Sequence, residues 1–141
     1  MMSDRVKEMI ALAQQAMTRS YAPYSKFHVG AVLRGANGKL YVGCNVENAA
    51  YPQSQCAEAT AIGTMVMDGE RKITEVLVMG QGDDLISPCG GCRQRLREFA
   101  DDAVAVHLCD GDSVKLTTTL GALLPHSFGP DHLTKPDHLK K

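Results

Sequence analysis

The chain carries no surplus of charge of either sign. Fifteen Lys and Arg stand against sixteen Asp and Glu, for a formal net charge of −1 and a pI near 6.5. That balance lacks the positive footprint a phosphate backbone requires, which argues against a nucleic-acid polymer as substrate. No segment is long and apolar enough to span a bilayer, and Asp4, Arg5, Lys7 and Glu8 precede any apolar stretch. No membrane partner is therefore expected, and the expected compartment is the cytoplasm. Internal repeats, low-complexity blocks and interdomain linkers are missing too. At 141 residues and 44% hydrophobic content, the chain is expected to form one domain over 1–141 around a single core. An even set of cysteines is also lacking. There are five, three of them in two short polar clusters, which fits reduced thiols better than disulfides and raises the question of metal binding.

What is present reads as alternating elements. Ser3 is a candidate N-cap for a helix with Val6, Ile10, Ala13 and Met17 on one stripe. After the Tyr21-Ala22-Pro23-Tyr24 break, strand patterns run over 27–33 and 40–46, and Asn37-Gly38 between them favours a hairpin. A buried helix is predicted over 55–68, stopped by Gly69, followed by an inner strand over 73–79. A helix over 91–100, a strand over 103–109, a short strand over 114–116 and one helical turn over 120–124 complete the pattern. Helices alternating with strands after an opening hairpin predict the α/β class: a three-layer α/β/α sandwich around a mixed five-stranded sheet.

The chemistry concentrates in Cys56-Ala57-Glu58 and Pro88-Cys89-Gly90-Gly91-Cys92, each at a predicted helix start. A helix start offers unpaired N–H groups and the positive end of the macrodipole, which favour thiolate over thiol. Zinc suits three such ligands, and three protein ligands leave a fourth position open, the mark of a catalytic site. Glu58, close to the metal but not consumed by it, meets the need for a proton shuttle. Other readings exist. Cys89 and Cys92 alone would fit a thioredoxin-type redox pair. A structural zinc would want a fourth Cys or His, yet Cys44 and Cys109 fall inside predicted strands and read as small buried hydrophobes. The five histidines, His28, His107, His126, His132 and His138, show no metal-ligand spacing and read as structural or solvated.

Tyr24-Ser25-Lys26-Phe27-His28-Val29-Gly30-Ala31, Asn45-Val46-Glu47-Asn48-Ala49 and Leu123-Leu124-Pro125 join these clusters in a pattern that resembles the cytidine deaminase family. The resemblance is to its small-subunit, three-cysteine branch and covers nearly the whole chain. It implies Zn²⁺ held by Cys56, Cys89 and Cys92, with Glu58 as the catalytic proton shuttle. It implies Asn45 and Glu47 hydrogen-bonding the ribose 3′-hydroxyl, Phe27 against the pyrimidine, and Ala57 among the substrate contacts. It further implies a homotetramer in which a tail from about residue 125, through Phe128, closes a neighbour's site. The implied reaction is hydrolytic deamination of cytidine and 2′-deoxycytidine to the uridines, with release of ammonia, in pyrimidine salvage. Glu58 would take a proton from water activated by zinc, pass it to ring N3 and later deliver one to the departing amine.

On residue chemistry alone, Asn45 and Glu47 suit ordinary turn hydrogen bonding equally well, and Phe27 and Phe128 suit a core. The rival functions are a deaminase of a blasticidin-type nucleoside antibiotic, and a catalytically silent zinc-stabilised scaffold. A deoxycytidylate or polynucleotide deaminase would need cations for phosphate, whereas Glu47 places an anion near the sugar. One departure stands out: many three-cysteine members have arginine directly after the glutamate, and this chain has Ala59. Zinc with three thiolates sums to minus one, so positive potential from helix dipoles and, in part, from Arg93 is expected to compensate.

Overall fold

A computed structural model describes residues 3–134. His138 and the end of the tail expected from about residue 125 lie outside the described residues. The order of elements is α1 (Asp4–Arg19), β1 (Val29–Gly35), β2 (Leu40–Cys44), α2 (Ala57–Met67), β3 (Ile73–Gly80), α3 (Gly90–Phe99), β4 (Ala105–Cys109), β5 (Val114–Thr119), α4 (Leu120–Leu123) and α5 (Asp131–Thr134), with one 3-10 turn at Tyr51–Gln53. The five strands form a mixed sheet in the order β2-β1-β3-β4-β5. β3 and β4 are parallel across the α3 crossover, and all other pairs are antiparallel. The predicted architecture is the one observed.

Strand alternation divides the core between two faces. Leu33, Val76, Val78, Val106 and Leu108 pack with Ala61, Ile62 and Met65 of α2 and Leu96 of α3. Val32, Leu77, Met79 and Cys109 pack with Met9, Ile10 and Ala13 of α1. Ser3 caps α1 by accepting from the Val6 N–H. Gly69, at φ 93°, follows the end of α2 in the left-handed conformation that stops a helix.

Some boundaries differ from the sequence reading for local reasons. β1 begins at Val29 rather than Phe27 because the Val29 N–H and the Phe27 carbonyl are both taken by the Asn45 side chain. β5 extends to Thr119, beyond the predicted 116, because its threonine run pairs with β4 up to Ala105–Thr119. Cys109 is fully buried and Cys44 half-buried. No helix among the described residues is long and apolar enough to cross a membrane.

Candidate active site

Topology brings the two cysteine clusters together. β2 and β3 are each antiparallel to β1, so they run in the same direction. α2 follows β2, and α3 follows β3. Both helices therefore start beyond the carboxyl ends of their strands, at one edge of the sheet and on one face of it, where open α/β sheets place ligands. Cys56 is the N-cap of α2 and Cys89 the N-cap of α3, neither making a side-chain capping bond, and Cys92 lies in the first turn of α3. Three thiols thus meet at the positive ends of two helices. The ligand atoms of Cys56, Cys89 and Cys92 all lie within 4.8 Å of one another, with 4.0 Å between the sulfurs of Cys56 and Cys89. Zinc–sulfur bonds of about 2.3 Å in a tetrahedron put neighbouring sulfurs roughly 3.8 Å apart, so the donor set fits zinc with little adjustment.

The three thiols hold their protons unequally. S–H donation from Cys92, helped by Cys89 and by the Arg95 guanidinium, holds Cys56 down at about 6 against the effect of burial. The same sharing, together with burial and the surrounding negative charge, drives Cys92 well above the usual thiol range. Zinc, which binds thiolates, relieves that competition. Glu58 stands one residue into α2 from Ala57 and is only 4% exposed. Burial pushes its carboxyl up to about 7, the Cys56 thiolate adds to the rise, and Arg95 opposes it. A carboxyl poised near neutrality beside a metal site is suited to both accepting and returning a proton.

The remaining predicted residues fall into two places. Asn45 and Glu47 brace the segment before β1: Asn45 bonds Phe27 and Val29, while the Glu47 carboxylate accepts from the backbone N–H groups of Tyr24 and Ser25 and from the Ser25 hydroxyl. These contacts, led by the Ser25 hydroxyl, hold the Glu47 carboxyl below its ordinary range. Between them, Val46 exchanges backbone hydrogen bonds with Gln55, tying this segment to the residue before Cys56. The turn-bonding reading of Asn45 and Glu47 is thus realised, and it fixes their position next to the metal cluster's own chain segment. Phe27 is 37% exposed, its ring lying beside Gly80, so neither it nor Phe128 is a core residue. Ala57 is buried under the first turn of α2.

Phe128 is placed differently. It is 57% exposed, stacks on His132, and its carbonyl accepts from Gln94 of α3. Arg97 also holds this tail segment, bonding Ser127 and Asp131. His107, by contrast with the exposed His126 and His132, is buried between Glu75 and Thr117. Arg93 is anchored on the carbonyls of Pro88 and Leu123 and on the Ser87 hydroxyl, neutral acceptors that leave its charge in place. Arg95 is a second cation, lowering Cys56 and opposing the rise of Glu58; sequence reasoning missed it because nothing in the spacing distinguishes the three alternating arginines of α3.

Residues 3–108 match the family model described as the cytidine and deoxycytidylate deaminase zinc-binding region. The chain is 40% identical over 129 residues to a cytidine deaminase of Sporosarcina psychrophila, covering 92% of this chain and 95% of that one. It is 37% identical to a cytidine deaminase of Halalkalibacterium halodurans, covering 85% and 91%. Among solved structures, a crystal structure of cytidine deaminase from Burkholderia pseudomallei superposes with a TM-score of 0.82 at 38% identity, covering 90% of this chain and all of that one. That of Mycobacterium tuberculosis gives 0.78 at 31%, covering 91% and 99%.

Proposed function

The chain belongs to the cytidine and deoxycytidylate deaminase zinc-binding family, and from that premise we propose that it hydrolyses the exocyclic amine of cytidine and 2′-deoxycytidine, giving the uridines and ammonia. The observation that carries this reading is the convergence of three thiols within 4.8 Å beside a buried carboxyl held near 7. Cys56, Cys89 and Cys92 hold zinc, which when bound supplies an activated water. Glu58 takes one proton from the attacking water and passes it to ring N3, where it stays in the uridine. Glu58 then takes the second proton from the new C4 hydroxyl and passes it to the amine, which leaves as ammonia while the C4 carbonyl forms. Its burial keeps bulk water from competing and leaves the carboxyl able to change state at neutral pH.

Asn45 and Glu47 receive the ribose 3′-hydroxyl. Each has hydrogen-bonding capacity beyond the backbone contacts described above, and those contacts hold the two side chains in place before substrate arrives. Phe27, exposed beside them, lies along the pyrimidine, and Ala57 contributes to the wall at the start of α2. The exposed Phe128, on a tail braced to α3 rather than buried in its own core, closes a neighbouring site. One domain over 1–141 with a tail from about residue 125 serving a neighbour then makes a homotetramer. The setting is cytoplasmic pyrimidine salvage.

Incubation of the zinc-loaded protein and a Glu58→Gln variant with cytidine, followed by ammonia release and loss of cytosine absorbance, tests the reading. Turnover by the parent alone is the expected result. Silence from both sinks it and moves the assignment to the antibiotic-deaminase or scaffold alternatives.

A further inference from the structure

Helix α3 carries arginines at 93, 95 and 97, and only two are committed. Arg93 is fixed by Pro88, Leu123 and Ser87. Arg97 is fixed by Ser127 and Asp131, with Asp102 close by. Arg95, exposed between them, has neither hydrogen bond nor ion pair among the described residues. Its side chain folds back over the first turn of α3, placing Nη1 3.4 Å from where a Cβ on Gly91 would sit, between Cys89 and Cys92. With Ala59 of α2 it lines a groove of about 720 Å³ between the two helices, whose other walls include Gln55, Gln94 and Glu98. Glu98 faces the same groove without pairing to Arg95.

Zinc with three thiolates carries one net negative charge, which opposes any further loss of a proton at the site. A permanently charged guanidinium nearby acts against that opposition, and its effect is least diminished where no carboxylate neutralises it. We propose that Arg95 is a positioning residue for the deamination: folded back over the first turn of α3 in the groove it shares with Ala59, it supplies the positive potential that offsets the three-thiolate zinc centre. This rests on Cys56, Cys89 and Cys92 being the zinc ligands. Gly91 leaves room for the folded-back side chain, and the small Ala59 leaves the groove open to it.

The charge can be removed, conserved or moved. Arg95→Gln removes it, Arg95→Lys conserves it, and the double variant Ala59→Arg with Arg95→Gln moves it across the groove. Each zinc-loaded variant is followed by kcat and KM for cytidine against pH. Independently of turnover, zinc release to a chromophoric chelator is followed as the pH is lowered. Arg95→Gln is expected to keep one zinc and an unchanged KM but to lose roughly three- to tenfold in kcat at neutral pH, the size of one exposed charge acting over a few ångströms. The acidic limb of kcat moves upward by about half to one pH unit, matching that factor on a logarithmic scale. Removing a positive charge eases proton uptake by the thiolates, so zinc is also released at a higher pH. Lysine, or arginine at 59, restores both profiles. Unchanged profiles in Arg95→Gln, or an Arg95→Lys variant as impaired as the glutamine one, overturn the proposal. Zinc retained by Cys56→Ala and Cys92→Ala proteins would instead overturn the ligand assignment beneath it.

Discussion

Two buried carboxylates show how differently one sheet treats the same group. Glu75, in β3 on the α1 side, is 8% exposed, and Glu58, at the start of α2 on the other side, is 4% exposed. Burial disfavours the charged form of both. Glu75 nevertheless sits below its ordinary range, because His107, Arg34 and Arg5 converge on it. Glu58 has no such partners, faces thiols instead, and rises to about 7. Burial alone therefore does not make a site. The paired carboxylate is a structural anion, and the unpaired one keeps a mobile proton.

The comparison breaks most severely where the thiols are removed. Cys92→Ala deletes the buried ligand, so the protein is expected to lose its zinc and its deaminase activity, with metal analysis of the purified variant as the check. Glu58→Gln comes next. It should keep zinc and fold but lower kcat by roughly 10²- to 10⁴-fold, the scale of general acid–base catalysis, in a steady-state assay with cytidine. A variant that held its rate would place the proton shuttle elsewhere.

Glu75→Gln sharpens the contrast from the other side. It strips the anion from Arg34, whose Nη2 is already buried without a partner among the described residues, and is expected to cost about 3 kcal/mol in chemical denaturation while kcat per folded molecule stays unchanged. The pH dependence follows from the lowered pKa of Glu75. Its stabilisation is complete above the unfolded value near 4.5 and is lost as the pH falls through the lower folded value. The stability gap between parent and variant should therefore be wide at pH 6 and close below pH 4.5. A gap that stayed constant would mean the carboxylate's charge contributes nothing.

This difference was only half legible in the sequence. Cys56, Glu58, Cys89 and Cys92 could be read because short spacings at helix starts carry their own chemistry, and the sheet could be read because strand and helix periods differ. Glu75 could not: it lies in a segment whose apolar residues predict an inner strand, and its partners His107 and Arg5 are 32 and 70 residues away in sequence. Arg93 and Arg95 could not be told apart either, since what separates them is which acceptors the loop before α3 and the end of α4 present.

The smallest expected effects test whether the two faces differ in function as well as in charge. Each face has one glycine where a helix backbone touches the sheet. A Cβ on Gly30 would come within 2.4 Å of the Ala13 carbonyl oxygen of α1, and one on Gly43 within 2.4 Å of the Ala57 carbonyl oxygen and the Ala61 nitrogen of α2. Either alanine substitution forces a helix to shift, at roughly 1–3 kcal/mol of stability. The helix moved by Gly30→Ala carries no site residue, so its folded fraction should turn over cytidine at the parental rate. The helix moved by Gly43→Ala begins at Cys56 and Glu58, and a displacement there misaligns the shuttle from the metal ligands of α3. A lower kcat is then expected in Gly43→Ala at matched folded concentration, because catalysis is sensitive to small displacements of positioned groups. Equal rates in the two variants would show that α2 moves as a body with its ligands and that the contact with β2 sets stability alone.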